Sequence, residues 1–404
     1  MQLKYHQHSA SVSGVEIFSH GRSNRFVIFL ASLAYAFPVL SLIDDGDAAS
    51  SSISLYNIPP LISLVILSIY AFFNVSARIR SFFILSFISG AVVTYFTYYS
   101  MPFYDSSKFN SYFIVFSLFG SLLLLTLCLK EVQRDLDLIL LATGMIGLFL
   151  LLLNPTEFDA GRITYGNSNP IWMGRILGVG ALAAAAAAIN RPSLRIPAVG
   201  LFTIIALSVL VTGSRGPFFS IFLALASTFG LMKFSSKYWI ISIFFYFITL
   251  SAIVIFGFFP DYFRALSFGG LNDQSYDYRS ETIQYTLDII RYSSNGIGVG
   301  QFSFSGFTYP HNIILESFVE WGWLFGALFS SFVIGGVALC LFLERNIFLF
   351  SLLAVFEFLN SIVSGDMTSP RLLYGLCLYG WLLLVLRVLS RSDPRSSVHL
   401  ENQA

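Results

Sequence analysis

The chain has 404 residues, of which 56% are hydrophobic and 11% are charged, against roughly 25% charged residues in an average soluble domain. So few charges would leave the surface of a water-soluble protein of this size largely apolar. The mean hydropathy of +0.74 is correspondingly high. The net charge of +1 provides no global field for a polyanion, and the three cysteines suggest no disulfide framework. A soluble enzyme, a nucleic-acid binder and a secreted disulfide scaffold are therefore disfavoured.

The apolar residues come in blocks of about 17–22, the length of a membrane-spanning helix. This pattern predicts an all-α polytopic membrane protein with about twelve transmembrane helices, forming a single integral membrane domain over residues 1–404. The predicted spans lie near residues 26–43, 57–74, 82–100, 111–129, 137–153, 170–189, 196–212, 217–232, 239–258, 322–343, 347–363 and 372–388.

Basic residues fall in alternate breaks between these spans, as Arg78 and Arg80 do between the second span and the third. By the positive-inside rule these breaks face the cytoplasm. Residues 1–25 and 389–404 are accordingly predicted to be cytoplasmic tails.

Residues 259–311 are predicted to form an outward-facing loop, and loops of this length are uncommon unless they are functional or disordered. Within the loop, residues 280–292 have the pattern of an amphipathic helix with Ile283, Leu287 and Ile290 on one face. We expect a lid or vestibule on the outer membrane face.

The basic residues left on the predicted outer side are nearly all arginines, whose guanidinium binds phosphate and carboxylate groups in a bidentate manner. The alternative is contact with lipid headgroups or local carboxylates, which is favoured for Arg264, Arg291 and Arg371. The full set comprises Lys108, Arg162, Arg175, Arg215, Arg264, Arg279, Arg291 and Arg371.

Arg215 lies between two glycines in Gly213-Ser214-Arg215-Gly216, where the backbone is open to close approach. Ionisable residues near membrane depth are functional candidates by default, with headgroup snorkelling as the alternative. A serine-hydrolase role for Ser214 is disfavoured, because this segment is not the Gly-x-Ser-x-Gly elbow.

His311 is the histidine that the predicted topology places outside, where the long loop returns to the membrane in Pro310-His311-Asn312. Imidazole suits proton transfer near neutral pH, so His311 is a candidate base. A capping or packing role at the start of the tenth span is the alternative.

Arg162 and Arg175 flank a turn that leads through Asn169 into the sixth span, and Arg175 is the deeper of the two. The glycine-rich segment at residues 296–300 lacks the strand and helix of a nucleotide-binding loop. The scattered histidine and carboxylates suggest no metal site, so we expect neither a metal nor another cofactor.

Together these segments resemble the O-antigen ligase and O-antigen polymerase superfamily over roughly residues 160–330. The resemblance rests on the order and spacing of short motifs. They are Arg162 through Pro170, Gly213-Ser214-Arg215-Gly216, Arg279 in the outer loop, Gly298-Val299-Gly300, Pro310-His311-Asn312, Glu316 and Glu320-Trp321-Gly322.

The resemblance implies an enzyme of envelope glycan assembly in the bacterial inner membrane. Its donor would be a glycan on undecaprenyl diphosphate, and its acceptor would be a second glycan or lipid A–core. Membrane lipids would surround the protein. No metal or nucleotide sugar is implied, and a chain-length regulator or a flippase would be its protein partner. By family match, Arg215 and Arg279 would bind the diphosphate, and His311 would be the base or a donor to the diphosphate.

Further substrate-binding residues implied by the resemblance are Arg175, Arg162, Asn169, Asn312 and Glu316. The resemblance leaves polymerase and ligase open, with polymerase favoured slightly by the segment from Asn169 to Arg175. A lipid-linked oligosaccharide flippase is a further alternative, although no repeated half and no midplane polar site is visible. A membrane scaffold or receptor without catalysis is the last alternative.

Overall fold

A computed structural model describes residues 24–36, 38, 58–99, 111–157, 163–166, 168–232, 274–302, 306–307, 309–343, 348–365, 367 and 369–391. This part of the chain is mostly helical. By length and composition, six of its helices are long and apolar enough to cross a membrane. A mostly helical membrane fold is thus confirmed, while the number of spans and the side that the long loop faces stay predictions.

The first half consists of α1 (Arg25–Tyr35), α2 (Ile58–Asn74), α3 (Ala77–Tyr99), a π-helical turn (Phe113–Phe119), α4 (Gly120–Leu127) and α5 (Lys130–Leu153). The second half consists of α6 (Pro170–Asn190), α7 (Arg195–Val211), α8 (Arg215–Met232), α9 (Gln274–Tyr292), α10 (Ile313–Leu343), α11 (Phe348–Ser364) and α12 (Arg371–Arg391). A single 3-10 turn, Pro192–Leu194, joins α6 to α7.

Each predicted span overlaps one of these helices except the ninth, near residues 239–258, which lies outside the described residues. The structure departs from the all-α prediction between α5 and α6. There, strands β1 (Pro155–Glu157) and β2 (Ile163–Tyr165) pair in antiparallel fashion. The hairpin was not predicted because each strand has three residues, too few to establish an alternating pattern.

Helix α6 is the centre of the bundle and packs against α5, α7, α8 and α11. Its small residues allow this close packing, as the alanine run at 181–188 predicts. The backbones of α6 and α5 approach closely at Gly180 and Gly144. A Cβ on Gly180 would lie 2.6 Å from the Gly144 backbone, and a Cβ on Gly144 would lie 2.5 Å from the Gly180 backbone. Only glycine at both positions allows the two backbones to approach so closely.

Gly180→Ala is expected to destabilise the protein by about 1–3 kcal/mol, because the added methyl group must push α5 and α6 apart. The matched control is Gly200→Ala in α7, where a Cβ meets nothing within 4 Å and alanine favours the helix. Thermal unfolding in detergent measures both effects. If the unfolding midpoint fell equally in the two variants, the close approach of α5 and α6 would not be the reason for glycine at position 180.

Helix α10 is broken at Gly322, whose φ of 75° and ψ of −177° are not helical. The segment after α9 fills the break with backbone hydrogen bonds, from Ile297 N to Val319 O at 2.9 Å and from Gly298 N to Glu320 O at 3.1 Å. In return, Trp323 N donates to Ser294 O at 2.9 Å. The glycine-rich segment 296–300 therefore serves backbone pairing, and its glycines at 296, 298 and 300 all have positive φ.

The predicted helix within the long loop is confirmed as α9, and it begins six residues earlier than predicted, at Gln274. Its face is not the predicted one. Ile290 is buried with Thr282 and Thr286, whereas Ile283 and Leu287 are exposed. The buried stripe follows the i, i+4, i+8 spacing of a helix packed on α10, and threonines fit where the two helices lie close.

An ion-pair cluster ties the start of α5 to the end of α6. Arg191 donates from Nε and Nη2 to both oxygens of Asp137, at 2.9 and 2.8 Å, and from Nη2 to Asp135 Oδ1 at 3.1 Å. These hydrogen bonds raise the pKa of Arg191 above its ordinary value. Arg191 Nη2 also donates to Arg134 O at 2.8 Å. Both arginines lie in breaks that the positive-inside rule assigns to the cytoplasm, and they meet at one end of the α5–α6 pair, whereas Asn169 lies at the other end.

Candidate functional site

The site is built on the first turns of α6. Asn169 is the N-cap, with its Oδ1 accepting from Ile171 N at 2.9 Å, and Pro170 occupies the first helical position. Both residue types are favoured at these positions, so the sequence itself begins the helix here. Arg175 follows just over one turn into the helix, and it is 5% exposed. Burial of a guanidinium requires partners, which the neighbouring helices provide.

Helix α11 and Trp172 provide those partners for Arg175. Its Nη2 donates to Asn360 O at 2.9 Å, and its guanidinium lies over the Trp172 ring at 5.2 Å from the centroid. The carboxylate of Glu357, one turn before Asn360, also interacts electrostatically with the arginine. The α11 partners are not predictable from local sequence, because Asn360 lies 185 positions from Arg175.

The turn that carries Arg215 is joined directly to the start of α6. Ser214 is buried, and its Oγ donates to Pro170 O at 2.8 Å. Gly213 adopts a φ of 66°, which glycine tolerates best. Arg215 then begins α8 as a half-buried residue. Ser214 thus acts as a link between α6 and α8, in agreement with the argument against a serine nucleophile.

A pocket opens beside Arg175, with an empty volume of about 300 Å³ that includes the solvent at its mouth. It combines two aromatic rings, one guanidinium, an amide and two hydroxyl groups. Its lining residues are Asn169, Ile171, Trp172, Arg175, Tyr309, Ser364 and Ser369. Ser364 is the last residue of α11 and Ser369 lies in the connection to α12, and no local motif marks either residue in the sequence.

His311 lies next to this pocket, because its ring is 4.3 Å from the ring of Tyr309, centroid to centroid. His311 has a φ of 58°, which is uncommon for a residue other than glycine and often accompanies function. The next residue, Asn312, caps α10 by accepting from Ile314 N at 2.9 Å and Leu315 N at 3.1 Å. The cap and the unusual backbone together fix His311 just before α10.

Helix α9 closes the other side of His311. The Tyr278 ring lies 6.2 Å from the imidazole, and the next residue along the chain is Arg279, which is half-buried. A series of contacts therefore runs from the Arg215 turn through Pro170 and Asn169 to the pocket, and from the other side of the pocket through Tyr309 to His311. Arg162 lies outside the described residues, so its position relative to this series is not described.

Glu316 belongs to a buried polar cluster beneath the pocket. Its Oε2 accepts from the backbone N–H of Met367 at 2.8 Å, and its Oε1 lies 3.1 Å from the Tyr112 hydroxyl. Tyr112 also contacts Glu320 Oε2 at 2.7 Å, and Tyr374 donates to Met367 O at 2.8 Å. This cluster holds the α11–α12 connection that carries Ser369. A substrate contact for Glu316 stays a prediction.

Glu316→Ala is expected to lower the free energy of unfolding by about 1–3 kcal/mol, because the buried Met367 N–H loses its acceptor. Glu316→Gln keeps one acceptor oxygen and should lose less. Thermal unfolding in detergent compares both with Glu281→Ala, whose side chain is exposed on α9. A Glu316→Ala protein as stable as the parent would contradict this positioning role.

No group of three or more His, Cys, Asp or Glu side chains in the described part of the chain is arranged to hold a metal ion. The three cysteines at 128, 340 and 377 are all buried and unpaired by disulfides. The polar chemistry of the site is instead that of arginine, histidine, hydroxyl and amide groups.

Apolar helices long enough to cross a membrane, with a polar site beside α9, define a polytopic membrane protein. Residues 200–330 match the family model described as O-antigen ligase. The match supports the resemblance to the O-antigen ligase and polymerase superfamily over this segment. The match includes Arg215, Arg279, His311, Asn312 and Glu316 and stops short of Asn169 and Arg175. No curated protein matches the chain.

Proposed function

We propose that the protein is a membrane glycosyltransferase that uses an undecaprenyl-diphosphate-linked glycan as its donor at the periplasmic face. The observation that carries this proposal is the contact series between the Arg215 turn and His311, inside and beside the segment matched by the O-antigen ligase family. Such an arrangement provides a cation for a diphosphate leaving group and a base for an acceptor hydroxyl.

The reaction is a displacement at the anomeric carbon of the donor. The acceptor hydroxyl oxygen forms the new bond to that carbon while the bond to the diphosphate oxygen breaks. His311 takes the hydroxyl proton, and the bond's electron pair leaves with undecaprenyl diphosphate. Arg215 and Arg279 stabilise the charge that develops on this leaving group. An alternative role for His311 is donation of a hydrogen bond to the diphosphate.

Arg175, Asn169 and Arg162 are proposed as donor contacts, with Asn312 and Glu316 as further substrate-binding candidates. Asn312 and Glu316 already have structural partners, in the α10 cap and in Met367, so their contribution would come through the position of the neighbouring residues. We propose a location in the inner membrane with both termini in the cytoplasm, and neither metal nor other cofactor.

Polymerisation of repeat units is the favoured activity, and ligation to lipid A–core is the alternative. A deletion strain separates the two by its glycans. Single repeat units attached to core indicate a polymerase, whereas lipid-linked polymer without attachment to core indicates a ligase. Lipid-linked units that accumulate on the cytoplasmic face would contradict both activities and indicate a flippase. Transfer by the purified protein in detergent, from a lipid-linked donor, would exclude a scaffold without catalysis.

A further inference from the structure

The pocket beside Arg175 lies between the two ends of the contact series. On one side, Asn169 and the first turn of α6 lead to the turn of Arg215, through the hydrogen bond from Ser214 Oγ to Pro170 O. On the other side, Tyr309 lines the pocket and contacts the ring of His311. A group held here would therefore lie between the segment that carries the leaving-group arginine and the segment that carries the base.

The lining has the composition of a sugar site. The rings of Trp172 and Tyr309 can cover the apolar faces of a pyranose, while Ser364 and Ser369 offer hydroxyls for its equatorial groups. Trp172, which is 41% exposed, lines the pocket beside these polar groups.

Arg175 already has partners inside the protein, and these partners limit what its guanidinium can offer to a ligand. The guanidinium stacks on Trp172, donates to Asn360 O and interacts with the carboxylate of Glu357. Arg175 is thus suited to orient Trp172 and to hydrogen-bond a neutral group, while Arg215, outside the pocket lining, is the residue for the diphosphate.

We infer that this pocket binds the reducing-end sugar of the donor, with Trp172 and Tyr309 as stacking residues and Ser364 and Ser369 as residues that determine sugar specificity. The inference rests on the proposed function, because the sugar bonded to the diphosphate is the one that must lie between the leaving-group arginine and the base. None of these four residues touches the diphosphate in this arrangement, so their effects depend on the presence of the sugar.

The test compares two lipids that differ by the glycan. The glycan-linked lipid is extracted from the producing cells, and undecaprenyl diphosphate serves as the probe without sugar. Trp172→Ala is expected to raise the KM for the glycan-linked donor about tenfold, which is the effect of losing about 1.4 kcal/mol of stacking. The same variant should leave inhibition by undecaprenyl diphosphate unchanged. Trp172→Phe keeps an aromatic face and should recover most of the parent KM.

Two further variants keep the test valid if Trp172→Ala fails to fold. Ser364→Ala and Ser369→Ala do not alter the stack on Arg175, and each should raise the donor KM about threefold through one lost hydrogen bond. Tyr292→Ala is the matched control, since Tyr292 is 90% exposed at the end of α9 and away from the pocket lining. Its donor KM should equal that of the parent.

Two results would overturn the inference. If Trp172→Ala weakened the binding of both lipids equally, the pocket would be assigned to the diphosphate. If the folded pocket variants kept the parent KM for the donor, the pocket would not be a sugar site. Failure of the proposed function can be distinguished from failure of this inference, because lipid binding can be measured without turnover. Thermal stabilisation of the parent protein by each lipid reports the sugar-dependent difference even if no transfer occurs. A difference that Trp172→Ala abolishes supports the sugar site.

Discussion

His311→Asn is expected to reduce glycan transfer by about 10²–10⁴-fold, the usual contribution of a positioned general base. Asparagine cannot take the acceptor proton, while donor binding through Arg215 should persist. The measurement is transfer from lipid-linked donor by purified protein in detergent, together with the chain length of the polysaccharide in cells that carry the variant. The KM for the donor should change far less than kcat.

Asparagine is the right replacement because of the backbone at this position. The φ of 58° at His311 lies in the left-handed region, which asparagine adopts more readily than most residues. His311→Ala would add backbone strain to the loss of the imidazole, so the two effects would be mixed. The melting temperature of His311→Asn in detergent is the control for folding. Long-chain polysaccharide at parent level from a folded His311→Asn protein would refute His311 as the base.

Arg215→Ala is expected to lower transfer about 10²–10³-fold, the effect of removing one preorganised group that stabilises developing charge. Because this charge belongs to the diphosphate, affinity for undecaprenyl diphosphate should fall as well. Arg215→Lys keeps a positive charge without the bidentate fork and should retain intermediate activity. Transfer and product inhibition in detergent measure the two effects separately.

Arg291→Ala is the matched control for this arginine. Arg291 is also an arginine near the site in sequence, but its side chain is 71% exposed and pairs with Asp288 at 3.1 Å on the surface of α9. Such pairs contribute little, so transfer should stay at the parent level. If Arg215→Ala and Arg291→Ala were equally active, the proposed diphosphate site at the start of α8 would be wrong.

Much of the helical architecture follows from the sequence because membrane helices are marked by length and apolar composition. Helix α9 was also predicted, although the face that it buries was not. The apolar pattern predicts that Ile283 and Leu287 lie on the packed face. The residues buried against α10 are instead Thr282 and Thr286, whose small side chains fit where the two helices lie close. Packing distance between two helices is a tertiary property, and a single helix sequence does not contain it.

The candidate site was predicted in part, through short motifs at separate places in the chain. Arg175, Asn169, Arg215 and His311 were all predicted from their local sequence, and the structure places their segments around one pocket. The partners from α11 and its following connection, such as Asn360 and Ser369, were missed. These residues lie in an apolar helix and a short polar turn, and their roles depend on contacts between distant parts of the chain. Roles in catalysis or binding remain predictions for every one of them.

The break in α10 restricts where the length of this protein can vary during evolution. Residues 294–298 align with residues 319–323 through three backbone hydrogen bonds, so an insertion or deletion in either stretch would shift donors away from acceptors. The same holds for Gly296 and Gly322, where any side chain would overlap the opposite backbone at 2.5 Å. Relatives with longer or shorter outer loops should therefore carry their extra or missing residues before α9 or between residues 301 and 310, and keep these two stretches at constant length.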